Sequence, residues 1–496
     1  MNLLLLLIVP LIASLAVLFT RTGSQARAVA VAGSLFQLIL SGILLAAYLD
    51  PAAGPADGTF RFQQSFDWFP AFGIRFSVGV DGIGIAMILL TAVVVLAGSL
   101  VSVNIKERPK EFFFLLMLLS AGAYGFFIAT DLFLLFFFLE MAVVPKYLLI
   151  GIWGSGRKEY SANKLVLLLM GGSALVFVGL LGVAYASGNL APSFDWMNAA
   201  ALRMPLDKQL FFFPFLFVGF GVFTALFPFH TWVPDGHSSA PTAASMFLAG
   251  ISMKLGGYGC LRVAAYLMPE AARIYSPYIV ILATIAILYG AFATLMQKDL
   301  KYINAYSSVS HCGFVLLGIG MLTPTAIRGA VLQMVSHGLM TALFFAAIGM
   351  LYERTHTRKV EELGGLMKAM PFVGTLFFLA GLCSLGLPGL SGFVAEMTVF
   401  AGSWERPDTF YRIATVLSCM SIVVTAVYIL RAIGSSIMGP LKKEDYAELS
   451  DAGSSERFAA VLLMAGILIV GLAPFWLNDL IGPATTIITE QLGRWM

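Results

Sequence analysis

Residues 209–229 read QLFFFPFLFVGFGVFTALFPF, an uncharged run as long as one helical crossing of a bilayer, which takes about 20 apolar residues. The run is cut near its end by Pro228, within Leu226-Phe227-Pro228-Phe229-His230. A proline there removes a backbone donor and breaks the helix. The apolar stretch 371–401 is cut in the same way at Leu385-Gly386-Leu387-Pro388-Gly389-Leu390-Ser391-Gly392. Irregular backbone at membrane depth is tolerated where protein buries it or where it lines a wet cavity, and paired breaks point to structural repeats. Kinks that merely aid packing are the alternative at either site.

Outward from these two breaks, apolar runs fall at 2–20, 28–49, 82–104, 111–130, 132–153, 164–187, 209–229, 241–265, 275–297, 302–322, 326–352, 371–401, 410–438 and 457–480. The broken runs are the seventh and the twelfth, which pairs segments 4 to 8 with segments 9 to 13. Five is an odd number, so the second copy starts from the opposite face and is inverted. The predicted fold is an all-α polytopic membrane protein of about 14 transmembrane helices, containing two inverted five-helix repeats. Residues 1–105 form the three N-terminal helices, 106–265 the first repeat, 266–440 the second, and 441–496 the last helix.

Composition agrees with this. Of 496 residues, 59% are hydrophobic and only 11% charged, against about 25% charged in soluble domains, so separate soluble domains are excluded. The net charge of +3 is too small and too scattered for nucleic-acid binding. Basic residues such as Arg21, Lys106, Arg157, Lys298, Lys301, Arg354 and Lys442 gather in the connections after odd-numbered segments. Those connections are expected on the cytoplasmic side, which places both termini outside. The first segment lacks the basic start and cleavage site of a signal peptide and reads as the first span. Cys260, Cys312, Cys383 and Cys419 have no metal or haem spacing and read as small buried residues. No iron–sulfur, haem or flavin motif is visible, so any linked electron transfer is expected in other chains.

Ionisable side chains inside spans cost several kcal/mol unless paired or hydrated, which makes each a functional candidate. Glu140 follows the apolar octet 132–139, and Lys146 follows it just after Pro145. Lys254 lies among small residues in the eighth segment, His311 and His337 in the tenth and eleventh, and Glu396 just beyond the second break. Carboxylate, ammonium and imidazole groups on separate helices are what proton transfer through an apolar interior needs. Bringing a buried Glu/Lys pair together or apart changes how tightly each holds its proton. Buried ion pairs that only fix register, and satisfied core histidines, are the structural alternatives. His230, Asp235 and His237, in a Pro/Gly/Ser-rich loop after the first break, fit proton uptake or helix capping better than a metal site. His356 reads as a solvated loop residue.

The run Phe227-Pro-Phe-His-Thr-Trp-Val-Pro-Asp-Gly-His237 through Ala249-Gly-Ile-Ser-Met-Lys254-Leu-Gly-Gly resembles the signature of the antiporter-like subunits of respiratory complex I. Asp299-Leu-Lys-Tyr-Ile-Asn-Ala-Tyr-Ser-Ser-Val-Ser-His311-Cys-Gly-Phe, Gln333-Met-Val-Ser-His337-Gly-Leu and Leu351-Tyr-Glu-Arg-Thr-His-Thr-Arg358 agree with it. The resemblance covers nearly the whole chain and is strongest to the M-type family, which includes mitochondrial NADH dehydrogenase subunit 4. Glu396 favours that choice, because the L- and N-type chains and the cation/proton antiporter chains usually carry lysine there.

The resemblance implies a proton channel driven by quinone reduction in other subunits, with Glu140, Lys254, His311, His337 and Glu396 along a hydrated central axis. It implies no cofactor or metal on this chain, with flavin, iron–sulfur clusters and quinone in partner subunits. Its partners would be the L- and N-type chains, the peripheral redox arm and the lipid bilayer of a bacterial inner membrane. A chain of a multisubunit cation/proton antiporter, or of a related hydrogenase or ferredoxin-driven complex, is the alternative. One family residue is missing: the lysine about seven residues before the histidine of Pro-Phe-His is here Phe223. Lys146 is an extra lysine on the fifth segment and the candidate to replace it. In a straight helix it lies about 240° around and about 9 Å along from Glu140, a poor position for direct pairing.

Overall fold

The computed structural model describes residues 2–50, 59–186, 194 and 204–493. The chain is mostly helical. Helices α1 (Leu5–Leu18), α2 (Gly23–Leu49) and α3 (Gly82–Val101) precede α4 (Pro109–Ile128), α5 (Leu132–Trp153) and α6 (Lys158–Ala186). Next come α7, in two parts (Leu206–Phe223 and Trp232–Ser239), and α8, which begins at Thr242–Phe247 and passes through Leu248–Ser252, Met253–Gly259 and Cys260–Ala265. The second half holds α9 (Pro269–Leu295), α10 (Leu300–Met321), α11 (Pro324–Thr355), α12 in two parts (Pro371–Ser384 and Ser391–Trp404) and α13 (Thr409–Ser436). The last two are α14 (Ser454–Leu472) and α15 (Phe475–Gly493).

Ten helices among the described residues are long and apolar enough to cross a membrane. The other predicted spans are short, broken or rich in polar residues: α1, α8, α10 and α12. Helix α11 is the central pillar, with its most apolar stretch wholly buried. It packs against α3, α8, α10, α12 and α14.

The two breaks share one hydrogen-bonding pattern. After α7 stops at Phe223, Thr224 N donates to Phe220 O, Ala225 N to Val222 O, Leu226 N to Gly221 O and Phe229 N to Leu226 O. After α12 stops at Ser384, Leu385 N donates to Gly381 O, Gly386 N to Cys383 O, Leu387 N to Leu382 O and Leu390 N to Leu387 O. All four bonds recur at one constant sequence offset. In each, the amide of the turning residue and that of its successor close the last helical carbonyls, as in a Schellman cap. The turning residue is left-handed in both, Ala225 at φ 67° and Gly386 at φ 74°. The helices preceding the breaks also start alike: Asp131 caps α5 by accepting from Leu134 N, and Asp299 caps α10 by accepting from Lys301 N and Tyr302 N.

The structure adds to the predicted plan at four places. The connection before α3 holds an antiparallel hairpin, Arg61–Phe69 with Ile74–Val80. The run 457–480 is divided, because Pro474 has no N–H to carry α14 onward and α15 starts after it. Helix α5 is interrupted at Ala142, whose N–H bonds both Phe138 O and Leu139 O. Residues 232–239, read as loop, are helix.

Ala225 holds a backbone conformation that costs an L-residue about 1–2 kcal/mol, while Gly386 holds the equivalent one freely. Ala225→Gly is therefore expected to raise stability by roughly 0.5–1 kcal/mol. Gly386→Ala is expected to lower it by about 1–2 kcal/mol, and its new Cβ would stand 2.8 Å from Glu396 Oε2. Thermal unfolding of the two purified variants checks both signs.

Candidate proton-conducting site

The site starts from a close approach of two helices. Gly250 of α8 faces Gly338 of α11, and a Cβ built on Gly338 would stand 2.9 Å from the Gly250 carbonyl oxygen. Only glycine allows backbones this near. The approach carries Lys254 and His337, which lie one turn or less away, into contact. Lys254 Nζ is 2.7 Å from His337 Nδ1 and also donates to Ala249 O, in the π-helical turn Leu248–Ser252. Such turns widen a helix and recur at functional positions.

From His337 the array continues by ring stacking, its Nε2 having no hydrogen-bond partner among the described residues. The rings of His337 and His311 stack at 5.4 Å between centroids, 26° from parallel. His311 Nδ1 lies 3.2 Å from Glu396 Oε1 and 3.3 Å from Gln333 Nε2, and its Nε2 lies 3.0 Å from Ser384 Oγ. Ser384 and Tyr428 both reach Ser307, the latter at 3.0 Å. Cys312 Sγ is 3.7 Å from His337 Nδ1. Lys254, His337, His311 and Glu396 are all buried, 1% to 5% exposed, so no bulk water screens the row. Four helices thus bring titratable side chains into one buried row.

Glu140 and Lys146 lie apart from that row. Each has a buried atom, Glu140 Oε1 and Lys146 Nζ, with no hydrogen-bond partner among the described residues. They are not an ion pair within 4 Å. The Lys146 ammonium stands 5.9 Å from the centroid of Phe223, the last residue of the first part of α7.

The residues after the first break do not converge. Asp235 is taken by Lys164 Nζ at 2.7 Å and by Tyr302 Oη at 3.3 Å, both partly exposed contacts. His230 packs against Phe227 and Tyr289, with Nδ1 unpartnered among the described residues. His237 is fully buried on Phe345, and both its ring nitrogens are unpartnered among the described residues. None of the three serves as a side-chain cap of the helix they sit on. His356, at the end of α11, is exposed.

Three charges escaped the reading of the sequence. Lys301, counted with the surface-facing basic residues, is buried and donates to Ala240 O at 2.6 Å. Arg262 of α8 is buried against Asp81, the N-cap of α3. Arg262 falls inside a predicted apolar span, and that alone would have marked it by the rule that marked Lys254.

A multi-pass bundle with paired broken helices and a buried row of proton-exchanging groups defines a class, the ion-translocating membrane chains. The chain belongs to the NADH:quinone oxidoreductase/Mrp antiporter transmembrane family, whose match covers residues 129–421. It is 35% identical to NAD(P)H-quinone oxidoreductase chain 4 2 of Thermosynechococcus vestitus, over 98% of this chain and 91% of that one. Its fold matches a chain of respiratory complex I from Thermus thermophilus with TM-score 0.90 and 26% identity, covering 99% of this chain and 100% of that one. It also matches a chain of the Mrp complex from Dietzia sp. with TM-score 0.84 and 20% identity, over 99% and 98% of the two chains, which is a likeness of fold.

Gly338→Ala tests the close approach. The added methyl would meet Leu90 Cδ2 at 2.7 Å as well as the Gly250 carbonyl, forcing α11 away from α8. The expected cost is about 1–3 kcal/mol of stability, with proton translocation reduced further than the stability loss explains. Thermal unfolding and vesicle acidification on the same preparation separate the two effects.

Proposed function

We propose that this chain is a proton-translocating membrane-arm subunit of a complex I type quinone oxidoreductase. The observation that carries the reading is the buried row Lys254–His337–His311–Glu396, in which each group lies within hydrogen-bonding or ring-stacking distance of the next. A full-length relative that is a chain of an NAD(P)H-quinone oxidoreductase supports the same reading. The chain moves protons and not electrons. Flavin, iron–sulfur clusters and quinone belong to the partner subunits, and the neighbours in the membrane are the L- and N-type chains.

Lys254 is the central group and Glu396 the terminal acid, with the two histidines as relay between them. Protons reach Lys254 through the first repeat, residues 106–265, and leave through the second, residues 266–440. The protein spans a bacterial inner membrane with both termini on the periplasmic side, following the basic residues of the odd-numbered connections. Because Lys254 and His337 exchange a proton only when their separation allows it, a change in the charge state or position of one neighbour propagates along the row. Conformational work from quinone reduction would enter as such a displacement.

The experiment is Lys254→Ala in the assembled complex, in membrane vesicles. Quinone-linked proton translocation is expected to fall by about tenfold or more, a loss of at least about 1.4 kcal/mol of coupling. Electron transfer from the peripheral arm to an artificial acceptor should stay unchanged. Undiminished translocation in an assembled complex would exclude the central role of Lys254.

A further inference from the structure

The groups left over by this row are Glu140 and Lys146. Each is buried in part or in full and unpartnered among the described residues, an arrangement that a merely structural ion pair would not leave. Both lie on α5, Glu140 in the last turn before Ala142 and Lys146 in the first turn after it.

The equivalence of the two breaks says where Lys146 has been put. By the hydrogen bonds that recur at both breaks, Phe223 corresponds to Ser384, each being the last residue before its turn. Aligning the capping residues Asp131 and Asp299 puts Val143 of α5 at the position of His311 of α10, and Lys146 lies one helical turn further on the same face. In the second repeat, the residue before the break touches an ionisable group of α10, Ser384 Oγ on His311 Nε2. In the first repeat, the residue before the break touches an ionisable group of α5, the face of Phe223 under the Lys146 ammonium. An aromatic face attracts a desolvated cation, and the end of α7 adds the negative pole of a helix dipole.

We propose that Lys146 is the charge partner of Glu140 and the ionisable gate of the first half of the pathway, standing at the α7 break where position 223 carries no charge. This rests on the proton-translocation reading above and deepens it. Both groups stand on α5, so the gate lies within one helix. Phe223 is a positioning residue that holds the ammonium at the break.

A relocation test decides the matter. Lys146→Met, Lys146→Met/Phe223→Lys, Phe223→Lys and the reference Lys254→Ala are compared in the assembled complex in membrane vesicles, with protons moved per electron and quinone-linked turnover both measured. Lys146→Met is expected to lower translocation about tenfold, and adding Phe223→Lys is expected to restore it, because the charge returns to the same break. A core lysine with only a packing role would not be rescued by a lysine on another helix. Full translocation in Lys146→Met, or an assembled double variant as inactive as the single, overturns the proposal. If Lys146→Met does not assemble, Phe223→Lys alone answers: crowding two ammonium groups at the break is expected to lower translocation, and an unchanged rate overturns the gate. If Lys254→Ala also pumps normally, it is the function reading that has failed and not only the gate.

Discussion

The contact between the Lys254 ammonium and the His337 imidazole is what the rest of the molecule is arranged around. An ammonium in an apolar interior is costly unless its protons have acceptors, and here the acceptors are one ring nitrogen and one backbone carbonyl. Both exist only because α8 and α11 touch at Gly250 and Gly338 and because α8 widens into a π turn just before Lys254. Packing determines the electrostatics here. Larger residues at the two glycines would strand Lys254 without changing a single ionisable group.

The same reasoning explains why α11 is buried throughout. It carries His337 toward α8, Gln333 toward His311 and Ser336 toward Ser391 of α12, so its polar residues face three different helices. A helix with polar groups on several sides cannot present any of them to lipid at low cost, and surrounding it with protein is the solution. The buried Arg262–Asp81 pair belongs to the same economy, since it ties α8 to the start of α3 where the hairpin enters. A buried pair of that kind is weak evidence for stability but holds two elements in fixed register.

Much of this could be read in the sequence, and the reason is specific. Pro228 and Pro388 announce the breaks because a proline removes a backbone donor, although Pro214 and Pro277 sit inside continuous helices, and Glu140, Lys146, Lys254 and Glu396 announce themselves because charge inside an apolar run is expensive. The pairing of Lys254 with His337 could not be read, since it depends on two glycines far apart in the chain whose approach no local pattern encodes. Lys301 was hidden by its place at a helix start, where a basic residue counts toward orientation whether or not it is buried. The hairpin before α3 was missed because a search for long apolar runs passes over the period-two pattern of Arg61–Phe69, which is partly exposed along its length. The helix at 232–239 was hidden by its Pro, Gly and Ser content, which signals a loop unless surrounding helices overrule it.

The two repeats share the hydrogen-bonding pattern of their breaks but not the chemistry placed on it, and that asymmetry has a direction. In the second repeat His311 is held by a hydroxyl at one nitrogen and by a carboxylate at the other, two directional contacts that, in the function proposed, fix the ring where Glu396 can exchange a proton with it. In the first repeat the Lys146 ammonium rests on a ring face, a contact with no preferred angle about the ring axis, on the far side of a helix interruption from Glu140. Directional bonds make a fixed conductor, whereas a cation on an aromatic face can shift without breaking anything. A pump needs both, a section that relays protons and a section whose geometry can be altered by work done elsewhere. In the function proposed, the side chains at the two breaks divide those roles between the two halves of the fold.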